Sequence, residues 1–125
     1  MTDFKFDPDD LIVLNARIKS RLATVDALLV FDTGASSVVL PWRLALAIGL
    51  KIDTDNPVRT TTATTVETVP RVIIPEVSVF GKTVENVEAI VKDLPPEAPD
   101  GLLGLSFLKH FKLTIDFKKG LLSLE

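Results

Sequence analysis

The apolar positions of this chain fall into short runs, several of them alternating with polar residues, and the runs stop at glycines, prolines or charged pairs. Residues 11–18, Leu-Ile-Val-Leu-Asn-Ala-Arg-Ile, begin as a continuous apolar run and become alternating, the pattern of a strand. Lys19-Ser20 predicts a turn, and residues 22–31 predict the returning strand. A polar kink, Asp32-Thr33-Gly34-Ala35, then breaks the apolar sequence, which resumes as a short buried strand at Val38-Val39-Leu40. Pro41 opens a short helix through Ile48, with Gly49 as its C-terminal cap.

Residues 58–69 are polar yet rich in β-branched side chains, which predicts a solvent-facing hairpin. A second hairpin is predicted from residues 71–80 and 83–92 around Gly81-Lys82. Three prolines between Asp93 and Asp100 make that stretch a loop. Leu102-Leu103 steps into Gly104, a short helix runs to about Phe111, and residues 112–117 and 121–124 form a last hairpin. Residues 1–10 read as a polar N-terminal segment ahead of one domain, residues 11–125. A faint internal echo is present: an apolar strand meets a glycine and a short helix follows, once at Phe31–Gly34 and again at Leu103-Gly104.

Composition narrows the chemistry. The 125 residues are 46% hydrophobic and 25% charged, ordinary for one folded domain. The net charge of −3, without a Lys/Arg cluster, does not point to nucleic acid. No cysteine is present, so disulfides and thiol chemistry are excluded, and a single His110 excludes a multi-histidine metal site within one chain. The first ten residues are polar and acidic, unlike a signal peptide, and no apolar run approaches the roughly 20 residues of a membrane-spanning helix. A cytoplasmic protein with no membrane contact, metal or organic cofactor is expected.

Asp32 is the residue that asks for a chemical role. A carboxylate at the mouth of an apolar core is costly to ionise unless it is hydrogen-bonded. It could be a nucleophile, a metal ligand or a general base. A metal would want further acidic or histidine partners, and none lies near Asp32 in sequence. General-base work on water needs a second group to share the proton. Two carboxylates about 3 Å apart cannot both ionise, so such a pair supplies a base and an acid together.

The string Leu29-Val30-Phe31-Asp32-Thr33-Gly34-Ala35-Ser36 resembles the active-site loop of the retroviral-type, or retropepsin-like, aspartic proteases, and Leu102-Leu103-Gly104 with its following helix resembles their second signature. The likeness spans residues 11–124 and is greatest to the small microbial members. It implies an all-β fold with two short helices, a small closed barrel forming one lobe per chain. It also implies hydrolysis of peptide bonds in extended substrates. Two-lobed relatives carry two such loops, whereas this chain has one, so the second aspartate would come from a second copy in a symmetric homodimer.

By the same resemblance, Asp32 and its mate would activate water and protonate the leaving amine. Thr33 would hydrogen-bond across the axis, and Gly34 would permit the tight turn and accept a bond from substrate. Ala35, Ser36, Ser37, Val39 and Leu102 would line the cleft. Residues 59–68 would be a flap with Thr62-Ala63-Thr64-Thr65 at its tip, and Thr62, Ala63 and Thr64 would contact the peptide. Ala35 stands where pepsin-like loops carry a hydroxyl, which implies a less acidic working range. The flap has no glycine, and Ser106 stands where many relatives have Asp or Asn, so the family's contacts tying that helix to the catalytic loop do not carry over directly. A catalytically weak or inactive dimerisation or peptide-binding module of the same fold is the rival reading.

Overall fold

Alternation along β2 (Val13–Lys19) turns Leu14, Ala16 and Ile18 inward, all fully buried, and leaves Asn15, Arg17 and Lys19 in solvent. Such alternation is what a one-sided sheet requires. In the computed structural model, which describes residues 2–61, 64–96 and 98–125, the chain is mainly β with two short helices. The other elements are β1 (Thr2–Lys5), β3 (Thr24–Phe31), β4 (Val38–Leu40), α1 (Trp42–Ala47), β5 (Ile52–Thr61), β6 (Val66–Val79), β7 (Lys82–Val91), β8 (Gly101–Leu103), α2 (Leu105–Leu108), β9 (Leu113–Asp116) and β10 (Leu121–Leu124).

Strands β2, β3, β8, β4, β7 and β6 pair in that order. A short antiparallel pairing of Arg17, Ile18 and Lys19 with Ser78, Val77 and Glu76 closes them into a six-stranded barrel. Leu14, Leu29, Leu40, Ile74, Leu103 and Phe107 fill it and are fully buried. Each such side chain contributes roughly 1.5–3 kcal/mol by leaving water. Helix α1 ends as the sequence predicts. Gly49 takes a left-handed φ of 69°, and the Leu50 N–H returns to the Ala45 carbonyl at 3.0 Å.

Three features differ from the sequence reading. Residues 66–79 form one continuous strand rather than parts of two separate hairpins. One edge of β6 pairs first with β5 and further along with β2, while its other edge pairs with β7 throughout Arg71–Val79. β5 begins at Ile52, earlier than predicted, because a bulge between Asp53 and Val58 absorbs the polar stretch Thr54–Pro57. The Asp53 carboxylate accepts the backbone N–H groups of Asp55 (2.9 Å) and Asn56 (3.2 Å) and the Asn56 amide. The Asn56 amide, then the Asp55 N–H, hold Asp53 below the usual carboxylate range.

The third difference concerns residues 1–10, expected as a polar lead-in. They contain β1, which pairs with β10 in a three-stranded sheet completed by β9. Ser123 donates a hydrogen bond to the Asp3 carboxylate there. Phe4 stacks on Phe80 at 5.4 Å between ring centroids. Phe80 and Gly81 both have positive φ (54° and 75°), the geometry of a tight type I′ hairpin turn. No helix among the described residues is long and apolar enough to cross a membrane.

Candidate active site

The parallel pairing of β3 with β8 places Phe31 beside Leu103, so the two strands deliver Asp32 and Gly104 side by side. The internal echo in the sequence is this pair of strand ends. The Asp32 N–H donates to the Leu103 carbonyl at 3.1 Å, and the Phe31 N–H to Ile12 at 2.8 Å. Past Asp32 the chain turns back: the Gly34 N–H donates to Asp32 Oδ1 at 2.9 Å and the Ala35 N–H to the Asp32 carbonyl at 3.3 Å. The carboxylate is half-buried, while Thr33 and Gly34 are exposed.

Helix α2 holds the far side of this loop. The Leu105 N–H donates to the Ala35 carbonyl at 2.8 Å, and the Ser106 N–H to the Ser36 carbonyl at 3.0 Å. These are N–H groups that a helix start cannot satisfy internally. Gly104 lies so close to the loop that a Cβ there would sit 2.3 Å from the Ser37 carbonyl oxygen.

Ser106 ties the helix into the sheet. Where the family's contacts do not carry over directly, its buried hydroxyl accepts the Val38 N–H at 3.0 Å and donates to the Glu88 carbonyl at 2.6 Å. A small hydroxyl thus links α2 to both β4 and β7. Ser106→Ala leaves the buried Val38 N–H without its acceptor, and the expected cost is about 1–3 kcal/mol, read as a lower urea midpoint with an unchanged slope.

The cleft candidates Val39 and Leu102 are brought together, directly paired between β4 and β8. On β4, Val38 and Leu40 enter the barrel core, while Val39 packs in a separate cluster with Ile90 and Val69, joined by Val58 and Leu102. This second cluster makes an apolar floor outside the barrel, and Val58 and Val69 belong to the β5–β6 hairpin folded over it. Val58, Val69 and Ile90 were not singled out from sequence. Ile90 lies in the run Val87–Val91, whose buried positions are too dense to reveal two faces. Of the predicted flap-tip residues, Thr64 is exposed just before β6, and Thr62 and Ala63 lie outside the described residues.

Asp100 braces the outer side of the site. It accepts the Leu28 N–H at 2.9 Å and the Arg43 guanidinium at 2.6 Å, linking β3 to α1 just before β8. The Leu28 N–H foremost, with Arg43 adding to it against the opposing effect of burial, holds this carboxyl below its usual range. The charged form is therefore favoured by folding. Its stabilisation is complete above the unfolded value near pH 4 and is lost as pH falls through the lower folded value. Asp100→Asn is expected to lower Tm at pH 7 and to flatten the fall of Tm below about pH 4.

Among the described residues, no group of three His, Asp or Glu side chains is placed to hold a metal ion. A concavity of about 590 Å3, lined by Ser20, Lys51, Asp53, Arg71 and Asn86 among others, lies elsewhere and does not include Asp32.

Comparison with known proteins matches residues 15–107 to a family model described as aspartyl protease. Among solved structures, a retropepsin-like aspartic protease from Rickettsia conorii is similar, with a TM-score of 0.73 at 26% identity over 98% of this chain and 88% of that one. EIAV protease, solved with the inhibitor HBY-793, is similar in fold, with a TM-score of 0.61 at 14% identity over 86% of this chain and 93% of that one. No curated protein sequence matches the chain.

Proposed function

Since the chain belongs to the aspartyl protease family and has the retropepsin-like fold, we propose that it is an endopeptidase whose active site forms when two copies bring their Asp32 carboxylates together. The carrying observation is that Asp32 lies on a loop bonded to β8 and α2, that β8 also supplies Leu102 to the apolar cluster under the β5–β6 hairpin, and that the chain has one Asp-Thr-Gly. A single carboxylate lacks the partner with which to share a proton, and a twofold axis past Asp32 supplies it. Exposed leucines flank the loop. Leu11 (67% exposed) precedes the residue that bonds Phe31, and Leu105 (41% exposed) bonds Ala35, which suits a surface covered by a second copy.

In this reading the paired carboxylates hold one proton between them and a water molecule on the axis. The ionised member takes a proton as the water oxygen attacks the scissile carbonyl carbon, and the protonated member donates to the carbonyl oxygen. Collapse of the tetrahedral species breaks the C–N bond, and the amine leaves with a proton from the dyad. Thr33 braces the two loops across the axis, and the Gly34 carbonyl accepts from the substrate. The peptide lies extended between floor and flap, bound through its main chain, with Ala35, Ser36, Ser37, Val39 and Leu102 beside its side chains. The apolar floor favours apolar residues next to the scissile bond. Incubation with a peptide library, with cleavage mapped by mass spectrometry, is expected to show internal cuts beside apolar residues. A library left intact by dimeric protein across pH 3–8 contradicts the proposal.

A further inference from the structure

Residues 58–69 form the part of the β5–β6 hairpin that leaves the barrel. The last rung joining β6 to β7 is Arg71 with Ile90, and beyond it β6 pairs with β5 alone. At that base the β5–β6 ladder is itself interrupted. The rung of Asp53 with Arg71 is followed by that of Val58 with Val69, and Pro57 and Pro70 lie between them. Neither proline has an N–H to give to a ladder, so two sparsely bonded segments join the hairpin to the body, which is the form of a hinge.

Folded down, the hairpin covers what lies beneath it. Val39, Val69 and Ile90 are 5%, 6% and 6% exposed and pack with Val58 and Leu102. A substrate side chain therefore reaches Val39 only when the hairpin lifts. Among the described residues one ion pair joins the hairpin to the body, Lys92 Nζ lying 3.2 Å from Glu67 Oε2. Lys92 follows the end of β7 and is fixed by its N–H, which donates to the Leu40 carbonyl at 2.9 Å. The cation thus stands on the barrel and the carboxylate on the hairpin. Their side chains are 26% and 47% exposed, so the pair can part into water and is weakened by salt.

We propose that Lys92 is a positioning residue that acts through Glu67: their ion pair latches the β5–β6 hairpin over the apolar cluster, and substrate enters only as the hairpin lifts and the pair parts. The effect on cleavage rests on the protease reading, whereas the latch itself rests on the contacts of the hairpin. A contact that substrate entry must break subtracts its own free energy from substrate affinity.

The test places a reporter under the hairpin of a chain that has no cysteine of its own. Ile90→Cys puts a thiol in the covered cluster and Val87→Cys puts one in the barrel core, and each is timed against a thiol-reactive dye at low salt. In the Ile90→Cys background, Lys92→Met and Glu67→Gln are each expected to speed labelling about two- to fivefold, the range of an exposed ion pair. Together they should add nothing more, Lys92→Arg should keep the parent rate, and labelling of Val87→Cys should not move. In the cysteine-free protein the same two substitutions should lower KM by a similar factor with little change in kcat. Raising salt should bring wild type toward them. Unchanged labelling at Ile90→Cys overturns the latch, as does equal acceleration at both thiols, which marks a loss of overall stability. A raised KM beside faster labelling overturns it too, because the pair then supports the bound state. Labelling as expected in a protein that cleaves no peptide upholds the latch and overturns the protease reading.

Discussion

Asp32→Asn is expected to abolish peptide hydrolysis while leaving the fold and the dimer intact. The asparagine amide oxygen can still accept the Gly34 N–H that now bonds Oδ1 at 2.9 Å, so the loop keeps its turn. A dyad of two amides has no base to take a proton from water and no acid to give one to the leaving group. The loss of that proton transfer alone is about 10²–10⁴-fold, and the removal of both members from each dimer should take kcat/KM below detection. The readout is kcat/KM on the best library peptide, beside thermal melts and sedimentation of both proteins. Cleavage that survives the substitution sinks the enzyme reading. A wild type that binds peptides but never cuts them leaves the binding-module rival standing.

Gly104→Ala is expected to be a severely damaging small substitution at the loop that carries Asp32. The backbone there is extended (φ −98°), so the effect is steric and not conformational. The new Cβ would stand 2.3 Å from the Ser37 carbonyl oxygen and 2.7 Å from that of Ala35, against backbone that cannot rotate aside. Relief requires moving the catalytic loop off α2 and stretching the bonds from Leu105 to Ala35 and from Ser106 to Ser36. The expected cost is about 3 kcal/mol or more, at the upper end for overpacking a close contact. It should appear as a lower urea midpoint, with activity reduced beyond what unfolding explains because Asp32 rides on the displaced loop. Gly81→Ala is the control. It has open space around its Cβ and a left-handed φ of 75°, so only the conformational term applies, of order 1 kcal/mol. Equal losses at the two glycines would contradict the steric account.

The parts of the fold that were legible are those in which local pattern and tertiary context agree. Alternation in residues 11–31, the capping of α1 by Gly49 and the Asp32 kink each follow from a few adjacent residues. What stayed hidden depends on partners far along the chain. β1 is a polar tetrapeptide that becomes a strand because Leu121–Leu124, more than a hundred residues later, pairs with it. The bulge in β5 and the continuity of β6 reflect how the hairpin must leave one sheet edge while its other strand closes the barrel. Asp32, Val39 and Leu102 could be named as candidates from sequence because two short motifs, around Asp32 and around Gly104, carry them. Val58 and Ile90 could not, and Ser106 could be noticed but its partners could not be read, since such residues acquire meaning only from the strands they touch.

The central claim is that each active site needs the Asp32 of two chains, and mixing wild type with Asp32→Asn tests it most directly. The two proteins are combined at fixed total concentration, allowed to exchange subunits fully, and assayed on one peptide. If the site is shared, only dimers with two aspartates cleave, and activity follows the square of the wild-type fraction, falling to about one quarter in an equal mixture. A linear decline, to about one half in the equal mixture, would mean that each chain carries a complete site and would contradict the shared dyad.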